Sequence, residues 1–302
     1  MTFPTSRGDV QAVIDVHFSI QPGETVGIIG ESGSGKSVIG ASILRLLPDS
    51  ARIRGTIQYL DTDIYALPQE IMHTMRGRQI SLIPQNPGAA LDPLLTNGLQ
   101  IAEVFEQNGL SKTDSWERAV LTLKKFLFPN PSINALQYPH QFSGGMRQRV
   151  VTGISLAGGP QLLIADEPTK GLDQMTRDNS YQIFSQITSD KKTSLLLITH
   201  DLDLAEKLCD RVMVMYSGEI VEIGNTGEEI FTHPHHPYTI GLMKARPRNG
   251  LVPLPGHSPN LADLPVGCHF QDRCPYCKDI CQKLHPELSL FHGRLVRCHH
   301  SS

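Results

Sequence analysis

One stretch constrains this chain more than any other: GETVGIIGESGSGKSVIGASILRLL, residues 23–47. The turn pair Pro22-Gly23 leads into a short apolar, β-branched run that reads as a buried strand. Gly30, Glu31, Ser32, Gly33, Ser34, Gly35, Lys36 and Ser37 then fill G-x-x-x-x-G-K-[ST], and an apolar helix follows. Strand, glycine-rich turn and helix in that order make a phosphate cradle. The glycines let successive N–H groups aim at phosphate oxygens, and the helix start adds its partial positive charge. Lys36 is placed to reach the β- and γ-phosphates, and the Ser37 hydroxyl to join a Mg²⁺ shell. The pattern predicts a bound nucleoside triphosphate.

Further strands carry the groups such a ligand needs. PQLLIADEP (160–168) and TSLLLITHD (193–201) are continuous apolar runs, as expected of parallel strands buried on both faces. The first ends in Asp166, suited to Mg²⁺, and Glu167, suited to polarise an attacking water as general base. His200 closes the second. A lone histidine at a strand end is more often structural, but this one ends a strand of the same sheet and can face the γ-phosphate. Gln85 likewise ends RQISLIPQ (78–85) and can sense Mg²⁺ or the water. RGTIQYL (54–60) reads as a peripheral strand, and DRVMVMYSGEIVEIG as two strands joined at Ser217-Gly218. Between Leu91 and Tyr138 the pattern turns helical, with PNPS as a break. The class is therefore α/β with a helical insertion.

A second anion-seeking helix start follows. Phe142-Ser143-Gly144-Gly145-Met146-Arg147-Gln148-Arg149 opens an apolar-periodic helix with a serine cap and two glycines. One phosphate loop does not need two cradles on one nucleotide, so Ser143 and its neighbours are expected to touch a triphosphate held by another copy or a paralogue.

Composition narrows the class. Lys and Arg number 27 against 30 Asp and Glu, so the formal charge of −3 gives no global basic surface for nucleic acid. No apolar run reaches the ~18–20 residues that cross a bilayer, and the first residues do not resemble a secretory signal. Cys209 stands alone, whereas Cys268, Cys274, Cys277, Cys281 and Cys298 crowd the last stretch. That distribution fits a reduced protein with a metal or cluster site better than a secreted disulfide scaffold. The spacing Cys268-x5-Cys274-x6-Cys281-x16-Cys298 suits Zn²⁺ or an iron–sulfur cluster equally, with disulfides or free thiols as the plain alternative. His233, His235 and His236 lie in a Pro-rich stretch that reads as a solvated linker, with a boundary near Arg246.

The phosphate loop, Gln85, FSGGMRQR, LLIADEP, GLD (171–173) and His200 together resemble the ATP-binding-cassette (ABC) ATPases over about residues 3–230. GESGSGKS, PQNPGAALDP, YPHQFSGGMRQRV, ADEPTKGLD, HPYT and the cysteine tail are similar to the ATPase subunits of peptide/nickel-type importers. The resemblance implies an ABC ATPase fold in a nucleotide-binding domain, 1–245. Its P-loop RecA-like core would carry a peripheral antiparallel β-subdomain and an inserted α-helical subdomain at about 88–150, with a Cys-rich extension, 246–302, behind it.

For the site, the resemblance implies ATP with Mg²⁺ on Ser37, Gln85 and Asp166, and catalysis by Glu167, His200 and Gln85. Phe3 would stack on adenine. Ser143, Gly144, Gly145 and Gln148 would contact the partner's ATP, Asp173 would lie in a dimer loop, and Cys268, Cys274, Cys281 and Cys298 would hold a [4Fe–4S] cluster. The implied partners are a second ATPase subunit (self or paralogue), two membrane permeases and an extracytoplasmic solute-binding protein, with the chain peripheral on the cytoplasmic face of the inner membrane. The cargo would be peptides or a related solute such as nickel or a metal chelate. Two other readings are a non-transport cassette ATPase and an ATPase governed by a redox or iron-sensing tail. The sequence departs from the family pattern in three places: almost nothing precedes Phe3, Phe142 replaces leucine, and Lys170-Gly171-Leu172-Asp173 replaces Thr-Ala-Leu-Asp. Cys277 is additional to the cysteine pattern.

Overall fold

A computed structural model describes residues 1–6, 8–189 and 191–301. Along the chain run β1 (Thr2–Thr5), β2 (Gly8–Gln11), β3 (Thr25–Ile29), α1 (Lys36–Ile43), β4 (Gln58–Tyr59) and β5 (Thr62–Asp63). Then come α2 (Gln69–Met75), β6 (Ile80–Ile83), α3 (Pro87–Ala90), α4 (Asn97–Gln107), α5 (Lys112–Lys125), α6 (Pro131–Leu136) and α7 (Gly144–Ala157). They are followed by β7 (Leu162–Asp166), α8 (Gln174–Ser189), β8 (Ser194–Thr199), α9 (Leu202–Leu208), β9 (Arg211–Tyr216) and β10 (Glu219–Asn225). The last elements are α10 (Pro237–Lys244), α11 (Asp279–Lys283), β11 (Ser289–Phe291) and β12 (Arg294–Val296). The chain forms two compact units, residues 1–20, 25–67 and 197–302 in one, 21–24 and 68–196 in the other.

In the first unit the strand order is β11-β12-β10-β9-β3, then the end of β8. TVGII of β3 is buried throughout, as an apolar run covered on both faces must be, and it pairs in parallel with β9 from Val26↔Arg211 to Ile29↔Val214. Ser217 and Gly218 turn the chain from β9 into β10 with φ of 45° and 87°. Two successive positive φ values match the right-handed twist of the flanking strands, and the hairpin read from the sequence is the one observed. The free edge of β10 is covered by the tail: β12 pairs antiparallel to it at Glu222↔Val296 and Ile223↔Leu295.

Buried arginines fasten that tail. Arg294 donates to Glu222 Oε1 (3.3 Å) and to the carbonyls of Glu229 (2.6 Å) and His233 (2.5 Å). Arg297 donates to Ile220 O (3.0 Å), Pro286 O (3.3 Å) and Asp15 Oδ2 (2.9 Å). Arg246 is buried and paired with Asp203 and Glu206 of α9. A planar guanidinium satisfies several carbonyls at once, which suits it to this work.

In the second unit β6 and β7 pair in parallel, from Ile80↔Leu162 to Ile83↔Ala165, amid helices α2 to α8. Thr96, Ser111 and Ser143 cap α4, α5 and α7 by accepting from Leu99, Asp114 and Met146 N–H groups. Gly98 lets α4 press close. A Cβ there would stand 2.8 Å from both Ala135 and the Trp116 ring.

Three local expectations change. RGTIQYL is no long strand: only Gln58 and Tyr59 pair, with Thr62 and Asp63, because Gly55 takes φ 103° and Leu60 φ 52° and bends the chain at both ends. PNPS breaks one helix but starts another, since Pro131 sits at the first turn of α6, where no N–H is needed. The histidine stretch is solvated only in part: His233 is exposed and His235 half-buried, but His236 is buried. His236 is 1% exposed, its Nδ1 caps α10 by accepting from Tyr238 N–H (3.0 Å), and burial pulls its pKa down to about 3.

Candidate functional site

The phosphate loop leaves β3 and enters α1 through Gly30 and Gly35, which have no room for a side chain. A Cβ on Gly30 would lie 2.1 Å from Met215 O, and one on Gly35 2.0 Å from Ala12 O. Gly33 takes φ 82° and Gly35 φ 101°, both left-handed. Lys36 folds back over the loop and donates to Gly30 O (2.9 Å), Glu31 O (2.7 Å) and Ser34 Oγ (3.4 Å), with Ser32, Gly33 and Ser37 exposed around it. A buried ammonium beside an exposed glycine-rich turn at a helix start is suited to phosphate oxygens.

Glu31 is held from the tail. Arg273 makes a two-pronged contact with it, NH1 to Oε2 at 2.8 Å and NH2 to Oε1 at 2.9 Å, and Ser258 donates to Oε2 at 2.8 Å. The Glu31 N–H donates to the buried Tyr238 hydroxyl at 2.9 Å, and Arg273 also donates to Pro255 O at 2.7 Å. The Glu31 side chain thus faces Arg273 rather than the mouth of the loop. The Arg273 hydrogen bonds hold its carboxyl below the ordinary glutamate range.

In the same unit, Thr199 at the end of β8 precedes His200, which is exposed, and Asp201 then caps α9 through Leu204 N–H (3.1 Å). Phe3 lies within β1, half-buried, opposite Val10. The tail cysteines gather as a set. The Cys268 thiol is pushed up to about 12 by burial, with Cys298, Cys281 and Cys274 close enough to add to the shift. Cys274 is pushed up to about 11 by burial and the same kind of neighbours. His300 N–H points at Cys298 Sγ (3.4 Å), and Cys268 N–H donates to Cys281 O (2.7 Å).

In the second unit, the β6–β7 register carries Gln85 and Glu167 to one end, each two residues past the paired Ile83 and Ala165. Gln85 is exposed, Asp166 half-buried, and Glu167 buried with φ 51°. A left-handed glutamate is costly backbone, of the kind that marks a constrained functional turn. Ser143 caps α7, and Gly145 approaches Thr176 of α8 so closely that a Cβ would lie 2.3 Å away. Gln148 is buried one turn further in. Asp173 accepts from Thr176 N–H (2.9 Å) and Oγ1 (3.0 Å), which fixes the start of α8 and lowers its pKa.

The model of the ABC transporter family matches residues 13–170, and that of the oligopeptide/dipeptide transporter C-terminal region matches 221–281. The oligopeptide transport ATP-binding protein OppD of Salmonella typhimurium is 40% identical over 304 residues, covering 99% of this chain and 90% of the relative. This chain belongs to the ABC transporter family. The dipeptide transport ATP-binding protein DppD of Bacillus subtilis is 42% identical, covering 95% of this chain and 88% of its own length. Among solved structures, the bacterial ABC transporter cassette MJ0796, a dimer, aligns with a TM-score of 0.67 at 25% identity, over 74% of this chain and 95% of its own. The α/β fold is that of an ABC cassette.

Within this ABC chain, Arg273, Ser258 and Tyr238 gather around Glu31 without any local sequence signal. Arg273 and Glu31 are 242 positions apart, and neither carries a local signature of the other. The usable hint was a carboxylate inside a phosphate loop, which is the wrong charge for a phosphate and so asks for a cation elsewhere. Because the folded-state pKa of Glu31 is depressed, the stability supplied by the pair is complete above the unfolded glutamate pKa and is lost as pH falls through the depressed value. Arg273→Met should lower stability by about 1–3 kcal/mol at neutral pH and flatten this acid limb. Urea unfolding midpoints between pH 3 and pH 7, compared with wild type, measure both effects.

Proposed function

We propose that this chain is the ATP-hydrolysing subunit that energises peptide import through a membrane ABC transporter. The observation that carries the reading is a complete phosphate loop in a chain 40% identical, over nearly its whole length, to oligopeptide transport ATP-binding proteins. Those relatives' names favour peptides over nickel or a chelate as cargo, and transport over a non-transport role. The family implies two permease subunits, a second ATPase subunit and a solute-binding protein as partners, at the cytoplasmic face of the membrane. No helix among the described residues is long and apolar enough to cross a bilayer.

Loop N–H groups and Lys36 bind the β- and γ-phosphates, Phe3 stacks on adenine, and Glu167 takes the proton of the attacking water. His200 and Gln85 orient that water and the γ-phosphate. Ser37, Gln85 and Asp166, two of them exposed hard-oxygen donors, fit Mg²⁺, which neutralises charge on the phosphates. Ser143, Gly144, Gly145 and Gln148 complete the site of the neighbouring ATPase subunit, and Asp173 braces that contact. Gly144 fits this reading: it is exposed and, among the described residues, has nothing within 4 Å of a Cβ, which leaves the helix start open to a ligand.

Cys268, Cys274, Cys281 and Cys298 hold a [4Fe–4S] cluster, with Cys277 outside the set. The reading rests on the spacing and the resemblance; in the structure the His300 N–H points at Cys298 Sγ.

Glu167→Gln should lower kcat by about 10²–10⁴-fold with ATP still bound, and Lys36→Ala should weaken ATP binding by about 10–100-fold. Steady-state hydrolysis and nucleotide titration measure these, and wild-type turnover by Glu167→Gln contradicts the base assignment. Cys274→Ser should lose iron and inorganic sulfide from anaerobically purified protein, whereas Cys277→Ser should keep both. Zinc with no sulfide in the wild type refutes the cluster.

A further inference from the structure

Three potential ligand atoms converge in the first unit. Glu219 opens β10 directly after the hairpin and is 2% exposed. His269 Nδ1 lies 3.1 Å from its Oε2, and His285 Nε2 lies 2.8 Å from its Oε1. The two imidazole centroids are 4.7 Å apart, and one ligand atom from each of the three residues lies within 4.8 Å of the others. Both ring nitrogens are buried and lack an aligned hydrogen bond, so their approach to the carboxylate is not that of well-made N–H···O contacts.

The far side of His285 is fixed. Its Nδ1 sits 3.0 Å from Gly267 O, and a carbonyl only accepts, so Nδ1 carries hydrogen and Nε2 is the atom turned to Glu219. A backbone carbonyl on the remote nitrogen is the support that metal-binding histidines ordinarily have. Glu219 supplies the charge. Two imidazoles with one carboxylate are a donor set for zinc-like ions rather than for Mg²⁺ or Ca²⁺. Bonds of about 2.0–2.2 Å to a tetrahedral ion put ligand atoms about 3.4 Å apart, a few tenths of an ångström beyond the separations found.

We propose that Glu219, His269 and His285 form a binding site for a divalent transition-metal ion of the zinc class, distinct from the cysteine set. The ion clamps the tail, on both sides of α11, to the first residue of β10. Nothing in the peptide-import reading requires this site, and its failure leaves that reading intact.

The test uses the full chain, purified with reduced thiols, stripped with chelator and titrated with Co²⁺ and then Zn²⁺. The wild-type minus His285→Ala difference spectrum should show visible cobalt d–d bands without sulfur-to-cobalt charge transfer, and Zn²⁺ should abolish them. About one equivalent should bind, with affinity lowered at least about 10-fold in His285→Ala and in the isosteric Glu219→Gln. Zn²⁺ should raise the unfolding midpoint of the wild type by more than that of His285→Ala, and the variant's own cooperative transition checks that it folds. A featureless difference spectrum, one made only of thiolate charge transfer, or equal cobalt affinity in all three proteins overturns the proposal. In that event the three groups are an imidazolium–carboxylate cluster alone.

Discussion

Two glycines of the phosphate loop touch backbone that no side chain could displace. Gly30 lies against the carbonyl of Met215 and Gly35 against that of Ala12, so the end of β9 and the residue after β2 set the shape of the loop. The neighbouring elements follow from that contact. The chain leaving Met215 must turn at once, and Ser217-Gly218 turns it into β10. The strand that supports the loop is thereby joined to the strand that receives the tail.

β10 links nucleotide chemistry to the C-terminal residues. Glu222 accepts from the N–H groups of His235 and His236 (2.9 Å each) and from Arg294, and burial pushes its carboxyl up. Tyr238, two residues past His236, carries the hydroxyl that meets Glu31, while Arg273 reaches Glu31 from between Cys268 and Cys274. A buried charge is tolerable only with partners, and these pairs leave the tail few alternative positions. The cysteine set therefore stands on the element that grips the second residue of the phosphate loop.

What could be read from the sequence was whatever is encoded within a dozen residues. The loop, the buried runs of β3, β7 and β8, the Ser217-Gly218 hairpin and the capped start of α7 are local patterns of hydrophobicity, turn chemistry and capping, and each is found where expected. The histidines at 233–236 misled because proline and histidine signal solvent only on average. Here His236 is captured by a helix start and buried. Arg273 on Glu31, Arg294 on Glu222 and the two imidazoles on Glu219 are contacts across 50 to 242 positions, fixed by topology rather than by any neighbouring residue. Even so, unpaired charges within apolar strands and a carboxylate in the phosphate loop marked the places where distant partners had to arrive.

The central claim is that each ATP is completed by a second subunit through the exposed helix start at Ser143-Gly144. The most direct measurement is ATP turnover by the assembled transporter carrying Gly144→Arg, a substitution for which this chain has open space. The account predicts that ATP still binds with wild-type affinity at this chain's phosphate loop while turnover at the neighbouring site collapses. Wild-type turnover by the assembled Gly144→Arg transporter would contradict it.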